Sequence, residues 1–331
     1  MAHEIIFSGI QPSGKLHVGN YIGSIHQWIQ MQKQDEGDYI FMLANLHSIT
    51  VAQDPTLLRS YIHQLTAWYL ASGLDPEKTE IFVQSQNPDH PYLAWMFDCM
   101  TPMGWMERMT QYKDKSTKQG ERTSVGLFHY PSLMAADILL YDATIVPVGE
   151  DQTQHIELTR DIAEKFNHTF GEVFTLPKIR LVGEGARIMS LQNPTEKMSK
   201  SAHDPAGTID LLDTADEIQK KIMRAVTDSG SEIRTGEDKP ALTNLLAIYS
   251  AFSSKTSDEI THEYMGKGYG DFKKGLAEVV VAGLDPIQKK YHTLIQDTSY
   301  LDGILSTGLA SARMRSSAKL QKATEAMGLL L

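Results

Sequence analysis

The sequence predicts an α/β fold, with a doubly wound parallel sheet in the first part of the chain and a second, smaller all-helical part after it. In the first part, short apolar runs alternate with segments whose apolar residues recur three or four positions apart. This alternation of strands with helices is typical of a mostly parallel sheet. From about Ala206 onward the spacing is helical throughout, with no strand-like alternation. The change of pattern divides the chain near residue 206.

Apolar runs predict the strands of the sheet, at residues 4–7, 39–44, 80–84 and 145–148. Helical spacing lies between and after them, over 20–34, from 55 to 73 and after Gly149. The second of these helices has Asp54 as its N-cap, Pro55 at its first position and Gly73 beyond its end, which are the residues expected at helix boundaries.

Two capping boxes support the helical second part. Thr214 precedes Glu217, and Thr256 precedes Glu259, at the spacing that caps a helix N-terminus. Helices are predicted over segments 218–225, 242–251, 272–295 and 311–327. Pro286 lies inside the third of these segments, and we expect it to kink or break that helix.

The charge balance of the chain is acidic. Its 331 residues include 31 basic and 41 acidic side chains, a formal net charge of −10, which at first sight argues against a nucleic-acid partner. Four basic residues stand against one acidic residue over 310–331, however, and five against three over 101–130. Because screening limits distant charges to about a Debye length, either segment is a candidate RNA track or a solvated face. Segment 110–126 is predicted to be a mobile basic loop.

The single cysteine, Cys99, excludes an intrachain disulfide, a Cys-rich zinc site and a cluster that needs several thiolates. No uncharged stretch approaches the ~20 residues of a membrane span, and residues 1–4 lack the basic start of a signal peptide. We therefore expect a soluble, unprocessed, cytoplasmic chain with no membrane partner and no metal held by the protein.

The loop after the first predicted strand runs from Gly9 to Asn20. Gly9, Gly14 and Lys15 satisfy the spacing of a P-loop, but Leu16 stands where a P-loop needs a hydroxyl on magnesium. A different nucleotide site fits better, in which a strand leads into a helix whose free amides face phosphates.

In such a site, His17 and Asn20 would donate hydrogen bonds to developing charge. Gly19 lacks the side chain that would block the approach of an adenine ring. The other interpretation is a plain strand-to-helix turn that uses Gly and Pro for its geometry.

The second motif is the string Lys197-Met198-Ser199-Lys200-Ser201. Average residue usage produces this string by chance in roughly one in ten thousand chains of this length. Lysines on a polar loop between a sheet and a helical unit are suited to closing over a triphosphate and neutralising the charge that moves to pyrophosphate. A solvated loop also contains lysines, but the two motifs together make chance a poor explanation.

Residues 12–20, Pro-Ser-Gly-Lys-Leu-His-Val-Gly-Asn, resemble the first signature of the class I aminoacyl-tRNA synthetases, and residues 197–201 match the second signature unaltered. The resemblance narrows to the bacterial tryptophanyl-tRNA synthetases and covers nearly the whole chain. The segments that carry it are 7–14, 130–141, 146–152, 155–160, 185–190, 225–229, 266–269 and 326–328.

The resemblance implies a Rossmann-like catalytic domain and the reaction of a tryptophan–tRNA ligase. The carboxylate of tryptophan attacks the α-phosphorus of ATP, which gives tryptophanyl-adenylate and pyrophosphate, and tryptophan then passes to the terminal ribose of its tRNA. This chemistry requires the protein to position the substrates and to stabilise charge, and it does not require a nucleophilic side chain. Mg²⁺ is expected to arrive with ATP.

The resemblance also implies the site residues. Those for ATP are Gln11, Pro12, Ser13, Gly19, Asn20, Gly149, Glu150, Asp151, Ile188, Lys197, Met198, Ser199, Lys200 and Ser201. Those for catalysis are Lys197, Lys200, Lys115, Asn20 and His17. Those for tryptophan are Phe7, His47 and Met134 around the ring, Tyr130 and Gln152 at the amino group, and Asp137 at the indole.

Asp137 is the residue expected to select tryptophan. Its carboxylate lies in the otherwise apolar stretch 133–140, where an unpaired charge is costly. The resemblance supplies the indole N–H as its partner, in a bond worth ~1.5–3 kcal/mol, so that an amino acid without this donor leaves the carboxylate unpaired. The alternative is a structural carboxylate paired with an Arg or Lys.

The predicted organisation is a catalytic domain over 1–206, joined by a C-terminal helix over 308–331, and a helical anticodon-recognition domain over 207–307. The implied partners are L-tryptophan, ATP, tRNA(Trp) and a second copy of the chain. The nearest alternative is a tyrosyl-tRNA synthetase-like enzyme, which usually carries an additional C-terminal RNA-binding domain that this sequence does not show. A P-loop NTPase that uses Lys15 and a nucleotidyltransferase that ignores RNA are the alternatives from other classes.

Overall fold

A computed structural model describes residues 4–35, 37–120, 123–181, 187–199 and 204–329. The side chains of residues 114, 115, 118 and 119 also fall outside this description. No described helix is long and apolar enough to cross a membrane.

The centre of the fold is a parallel sheet with the strand order β3-β2-β1-β4-β5. The strands are β1 (Glu4–Ile10), β2 (Gly37–Leu43), β3 (Thr79–Val83), β4 (Ile145–Val148) and β5 (Lys178–Leu181). The predicted parallel sheet is confirmed. β1 runs three residues past Phe7, and β5 was not predicted because an edge strand of alternating charged and apolar residues carries no continuous apolar run.

Side chains alternate between the two faces of the sheet and form two cores. Ile6, Phe41 and Ile81 point to one core, and Phe7 and Phe82 point to the other. The first core also contains apolar residues of the helical part of the chain, so the sheet and the helices after residue 206 share buried surface. Burial on both faces explains why these strands read as continuous apolar runs.

Helices cover both faces of the sheet. In the first part they are α1 (Val18–Asn20), α2 (His26–Gln34), α3 (Asn45–Ser48), α4 (Pro55–Ser72), α5 (Asp89–Asp98), α6 (Met103–Glu107), α7 (Thr110–Gln119), α8 (Val125–Leu139) and α9 (Thr153–Phe170). A π-helical turn, Tyr21–Ile25, joins α1 to α2. The predicted loop over 110–126 is wrong: α7 occupies most of it, because its lysines and glutamines are good helix formers even without an apolar stripe.

The helices after residue 206 are α10 (Ala215–Arg224), α11 (Pro240–Ser253), α12 (Ser257–Glu263), α13 (Tyr269–Leu294) and α14 (Thr298–Ala326). Thr214 and Thr256 cap α10 and α12 in capping boxes, as predicted. Pro286 does not break α13. Pro286 and Ala282, whose carbonyl loses its helical donor, are both exposed, so the carbonyl without a helical partner is on the solvent side of the helix.

Helix α14 crosses the edge strand β3. Its first turns pack in one core through Leu301 and Leu305, and its later turns pack in the other core through Ala312. Gly308 lies at the crossing, where a Cβ atom would stand 2.1 Å from the carbonyl oxygen of Ile81. The helix therefore covers a sheet edge at a distance that only glycine permits.

We predict that Gly308→Ala destabilises the protein. The added methyl group meets backbone rather than a movable side chain, so the helix must shift, at a cost of about 1–3 kcal/mol or more in the free energy of unfolding. Urea denaturation measures this loss. Gly303→Ala is the matched control on the same helix, because its Cβ would meet nothing within 4 Å, and it should stabilise by up to about 1 kcal/mol. Equal effects of the two changes would contradict the close crossing.

Candidate active site

Loops at the carboxyl ends of β1 to β4 bring the predicted site residues to one edge of the sheet. The chain adds β2 and β3 on one side of β1 and then β4 and β5 on the other, so the strand order switches between β1 and β4. Ligands of open parallel sheets bind at this kind of switch point. The first signature follows β1, helix α3 follows β2, a 3-10 turn Gln84–Gln86 follows β3, and a second 3-10 turn Glu150–Gln152 follows β4.

The first signature loop enters α1 through a capping box. The Nδ1 atom of His17 accepts from the backbone N–H of Asn20, and the amide oxygen of Asn20 accepts from the backbone N–H of His17. The cap uses these two atoms as acceptors, so the prediction that both side chains donate to substrate charge stays a prediction about their other nitrogen atoms. The amide nitrogen of Asn20 and the Nε2 atom of His17 are the groups suited to donating.

Backbone bonds tie the first signature to the helical part of the chain. Val18 donates to the carbonyl of Ile209 over 2.9 Å, and Leu211 donates to the carbonyl of Leu16 over 2.9 Å. The Val18 amide is therefore engaged within the protein. Leu16 is 7% exposed, which removes it from any magnesium site and excludes the P-loop interpretation.

The second signature begins on a short hairpin. Met198 donates to the carbonyl of Ile188 over 3.0 Å, and its side chain is only 2% exposed. The hydroxyl of Thr208 donates to the carbonyl of Ser199 over 3.1 Å. The buried Met198 anchors the loop, so that its exposed neighbour Lys197 projects toward solvent.

The two signatures adjoin each other and the turn after β4. A Cβ atom on Gly19 would stand 3.5 Å from the Cβ of Ile188, and the Nζ of Lys197 lies 3.6 Å from Oδ1 of Asp151. Burial would raise the pKa of Asp151, but the charge of Lys197 and the hydrogen bonds of the carboxylate, among them that from Gln152, together lower the pKa. Three predicted ATP segments therefore meet.

Other predicted ATP residues lie on the first signature loop and on the turn after β4. Glu150 and Gly149 are exposed on the turn after β4, and Gln11 is exposed beside the buried Pro12. Ser13 donates its backbone N–H to Gln11. Lys200 and Ser201 lie outside the described residues, as does the side chain of Lys115.

Asp137 is 1% exposed and is held by three side chains. The Nε2 atom of Gln84 donates to both carboxylate oxygens, over 2.8 and 2.9 Å. His90 contacts Oδ1 through Nδ1, and His47 contacts Oδ2 through Nε2, each over 2.6 Å. The carboxylate is thus neither unpaired nor paired with Arg or Lys, and both of those expectations are wrong because they considered only nearby sequence.

The histidines keep this carboxylate ionised. Burial alone would raise the pKa of Asp137, but the charge and hydrogen bond of His47, followed by those of His90, lower the pKa to about 2. A carboxylate at this position is an acceptor only, so both imidazole nitrogens that face it must carry hydrogen. The site presents a fixed negative charge inside an apolar wall.

The predicted tryptophan residues lie around this charge. Tyr130, Met134 and Asp137 recur at helical spacing on α8, and the ring of His47 packs edge-on against Tyr130 at 6.2 Å. The Tyr130 hydroxyl lies 2.7 Å from Nε2 of His155, and burial raises the pKa of Tyr130.

Two further predicted tryptophan residues stand farther from the carboxylate. Phe7 stacks on Tyr141 at 5.5 Å, and Tyr141 in turn lies beside His90. The side chain of Gln152 donates to Asp151 over 3.2 Å. Gln152 therefore connects the predicted tryptophan group to the predicted ATP group.

Sequence reasoning missed Gln84, His90, Tyr141 and His155 as parts of the site. Gln84 directly follows a buried strand, which is the position where site residues of parallel sheets occur. His90 reads as one polar residue in an apolar helix, and nothing local distinguishes it from an ordinary core histidine.

The basic terminal helix is only partly available to RNA. Arg315 pairs with Asp38 and Glu80 over 2.7 and 2.9 Å, and Lys319 is 7% exposed and pairs with Asp142. These two cations hold α14 against the catalytic part. Two of the four basic side chains of the predicted RNA track over 310–331 are therefore paired within the protein. Arg313 and Lys322 remain exposed.

No group of three or more His, Cys, Asp or Glu side chains suited to holding a metal ion occurs in the described part of the chain.

Comparison with known proteins decides the family. The model of the tRNA synthetases class I (W and Y) matches residues 2–285. The chain belongs to this family. The synthetase is 52% identical to a tryptophan–tRNA ligase of Bacillus anthracis over 327 residues, which cover 98% of each chain. The predicted family is confirmed.

Solved synthetase structures match this one over nearly its full length. The tryptophanyl-tRNA synthetase of Mycoplasma pneumoniae has a TM-score of 0.91 at 34% identity, with 98% of each chain covered. That of Campylobacter jejuni, complexed with ADP and tryptophan, has a TM-score of 0.81 at 39% identity, with 98% of this chain and 99% of that chain covered. The predicted fold of a class I synthetase is confirmed.

Proposed function

We propose that this class I synthetase is a tryptophan–tRNA ligase. It joins L-tryptophan to AMP with release of pyrophosphate and then transfers tryptophan to tRNA(Trp). The observation that carries the proposal is the ionised, buried carboxylate of Asp137 on the same face of α8 as Tyr130 and Met134. The full-length similarity to a tryptophan–tRNA ligase supports it.

In the first step, a carboxylate oxygen of tryptophan bonds to the α-phosphorus of MgATP, and the bond to the β-phosphate oxygen breaks. In the second step, a terminal ribose hydroxyl of the tRNA attacks the carbonyl carbon, and AMP leaves. Both steps need substrates held in line and charge neutralised as it develops. Mg²⁺ is written here as part of the nucleotide substrate.

Lys197, Lys200 and Lys115 are the cations we assign to the phosphates. Lys197 suits this role because its pair with Asp151 joins side chains that are 55% and 46% exposed, and exposed pairs at such distances contribute no more than about 1 kcal/mol. A triphosphate therefore displaces Asp151 at little cost. The anchored Met198 keeps the loop in place while its lysine changes partner.

Asp137 selects tryptophan by accepting the indole N–H. Because Gln84 and the two histidines already hold the carboxylate, an amino acid without this donor does not leave the charge unpaired. Selection then amounts to one charge-assisted hydrogen bond of about 1.5–3 kcal/mol, together with the shape of the surrounding ring pocket.

We predict that amino-acid-dependent exchange between pyrophosphate and ATP occurs with tryptophan and at least about a hundredfold more slowly with tyrosine. The assay measures adenylate formation without tRNA and covers all amino acids in turn. Equal rates with tryptophan and tyrosine would favour the tyrosyl-tRNA synthetase-like alternative, and no exchange with any amino acid would contradict the ligase assignment.

We predict that Lys200→Ala lowers the rate of adenylate formation by about a hundredfold or more, because a cation that stabilises charge only in the transition state is lost. Lys15→Ala is the matched control: it removes an exposed lysine from the first signature loop and should change the rate less than about fivefold. A larger effect of Lys15→Ala would show that the first loop, rather than the second signature, supplies the essential cation.

The finer assignments of partners follow from the same function. Residues 207–307 form the anticodon-reading unit, and the chain is a cytoplasmic homodimer. Three large apolar side chains on α5 and α6 support the dimer, since Tyr92, Trp95 and Met103 are 50%, 68% and 62% exposed and burying such side chains favours association.

We predict a dimer in equilibrium sedimentation at micromolar concentration and a monomer for Trp95→Glu, because a charge at this position opposes its burial. A wild-type monomer would contradict the dimer.

Anticodon substitutions in a tRNA(Trp) transcript should raise the KM of charging without changing the rate of pyrophosphate exchange. An unaltered KM would contradict the anticodon role.

A further inference from the structure

His90 lies behind Asp137, on the side away from the partly accessible His47. His90 and Gln84 are 0% exposed, whereas His47 is 8% exposed. A substrate therefore approaches the carboxylate from the side of His47 and does not touch His90. Any contribution of His90 to the reaction acts through Asp137.

A directed chain of hydrogen bonds fixes the His90 ring. Its Nδ1 must donate to Oδ1 of Asp137, because an ionised carboxylate only accepts. The Nε2 atom lies 2.8 Å from the hydroxyl of Tyr141, and that hydroxyl accepts from the amide of Asn87 over 3.1 Å. Because both ring nitrogens have a hydrogen-bond partner, the ring is held in one orientation with Nδ1 facing Asp137.

The chain continues to the terminal helix. The Asn87 amide also donates to the hydroxyl of Ser316 over 2.9 Å, and that hydroxyl donates to Asp89 over 2.6 Å. Ser316 is fully buried on α14. The orientation of His90 is thus anchored in secondary structure on both sides.

An aspartate needs such an anchor because its terminal torsion is broad. The plane of a carboxylate turns easily about the bond that joins it to the chain, and only directed hydrogen bonds hold it in one orientation. His90 and His47 hold opposite oxygens. Loss of the His90 donor leaves Oδ1 with Gln84 alone.

We propose that His90 is a positioning residue for tryptophan recognition, which acts by donating from Nδ1 to Asp137 so that the carboxylate faces the indole N–H. This inference rests on the proposed function. It adds a role for a buried side chain that does not contact the substrate.

Two variants separate the two nitrogens of His90. His90→Asn keeps an amide nitrogen near the position of Nδ1 and loses the contact with Tyr141. His90→Gln keeps an amide nitrogen near the position of Nε2 and loses the donor to Asp137. The measured quantity is the ratio of kcat/KM in pyrophosphate exchange for tryptophan to that for the analogue in which sulfur replaces the indole N–H.

We expect His90→Gln to lower this ratio by about fivefold or more, and His90→Asn to keep it within about twofold of wild type. The KM of ATP should be unchanged in both variants. A purely structural role would alter both variants equally or alter the KM of ATP as well. A ratio in His90→Gln equal to that of wild type would overturn the proposal.

Tyr141→Phe is the milder variant to use if His90→Gln does not fold. It removes the hydroxyl that contacts Nε2 and keeps the donor from Nδ1, so the ratio should stay within about twofold of wild type, as for His90→Asn. A fall of about fivefold or more would show that the Nε2 contact, rather than the Nδ1 donor, positions the carboxylate, and would overturn the proposal. Wild-type behaviour separates the two levels of inference: absence of exchange with tryptophan refutes the proposed function, whereas normal exchange with an unaltered His90→Gln ratio refutes only the role of His90.

Discussion

The arrangement of the site depends on one buried negative charge. An ionised carboxylate in an apolar interior costs several kcal/mol unless hydrogen bonds and compensating groups surround it. Asp137 meets this requirement with side chains from three separate segments, which follow β2, follow β3 and begin α5. The need to hold this charge therefore fixes the relative positions of the strand ends and of α8.

Residues 208–211 connect the two signatures through hydrogen bonds to the main chain of each. Segment 209–211 bonds to both sides of His17, while Thr208, one residue earlier, bonds to Ser199. Residues 208–211, at the start of the helical part, therefore join the first signature to the second.

Much of the fold was predictable because its information is local. Apolar runs of four to six residues gave β1 to β4, and the capping boxes at Thr214 and Thr256 gave two helix starts. β5 was not predicted, because an edge strand needs no continuous apolar run. In the site, motif spacing located the two signatures, but the partners of Asp137 lie 90, 53 and 47 positions away. No pattern within a segment encodes contacts at such separations.

The crossing of α14 over β3 has a consequence for the order of folding. Ser316 is 229 positions beyond its partner Asn87, and a ribosome adds about 5–20 residues per second. The edge of β3 and the polar groups beneath the helix therefore remain uncovered for about 10 to 50 s during synthesis, until α14 has been made. An uncovered strand edge pairs readily with other chains. Nascent chains of this protein thus pass through a period of aggregation risk that ends only when the last helix docks.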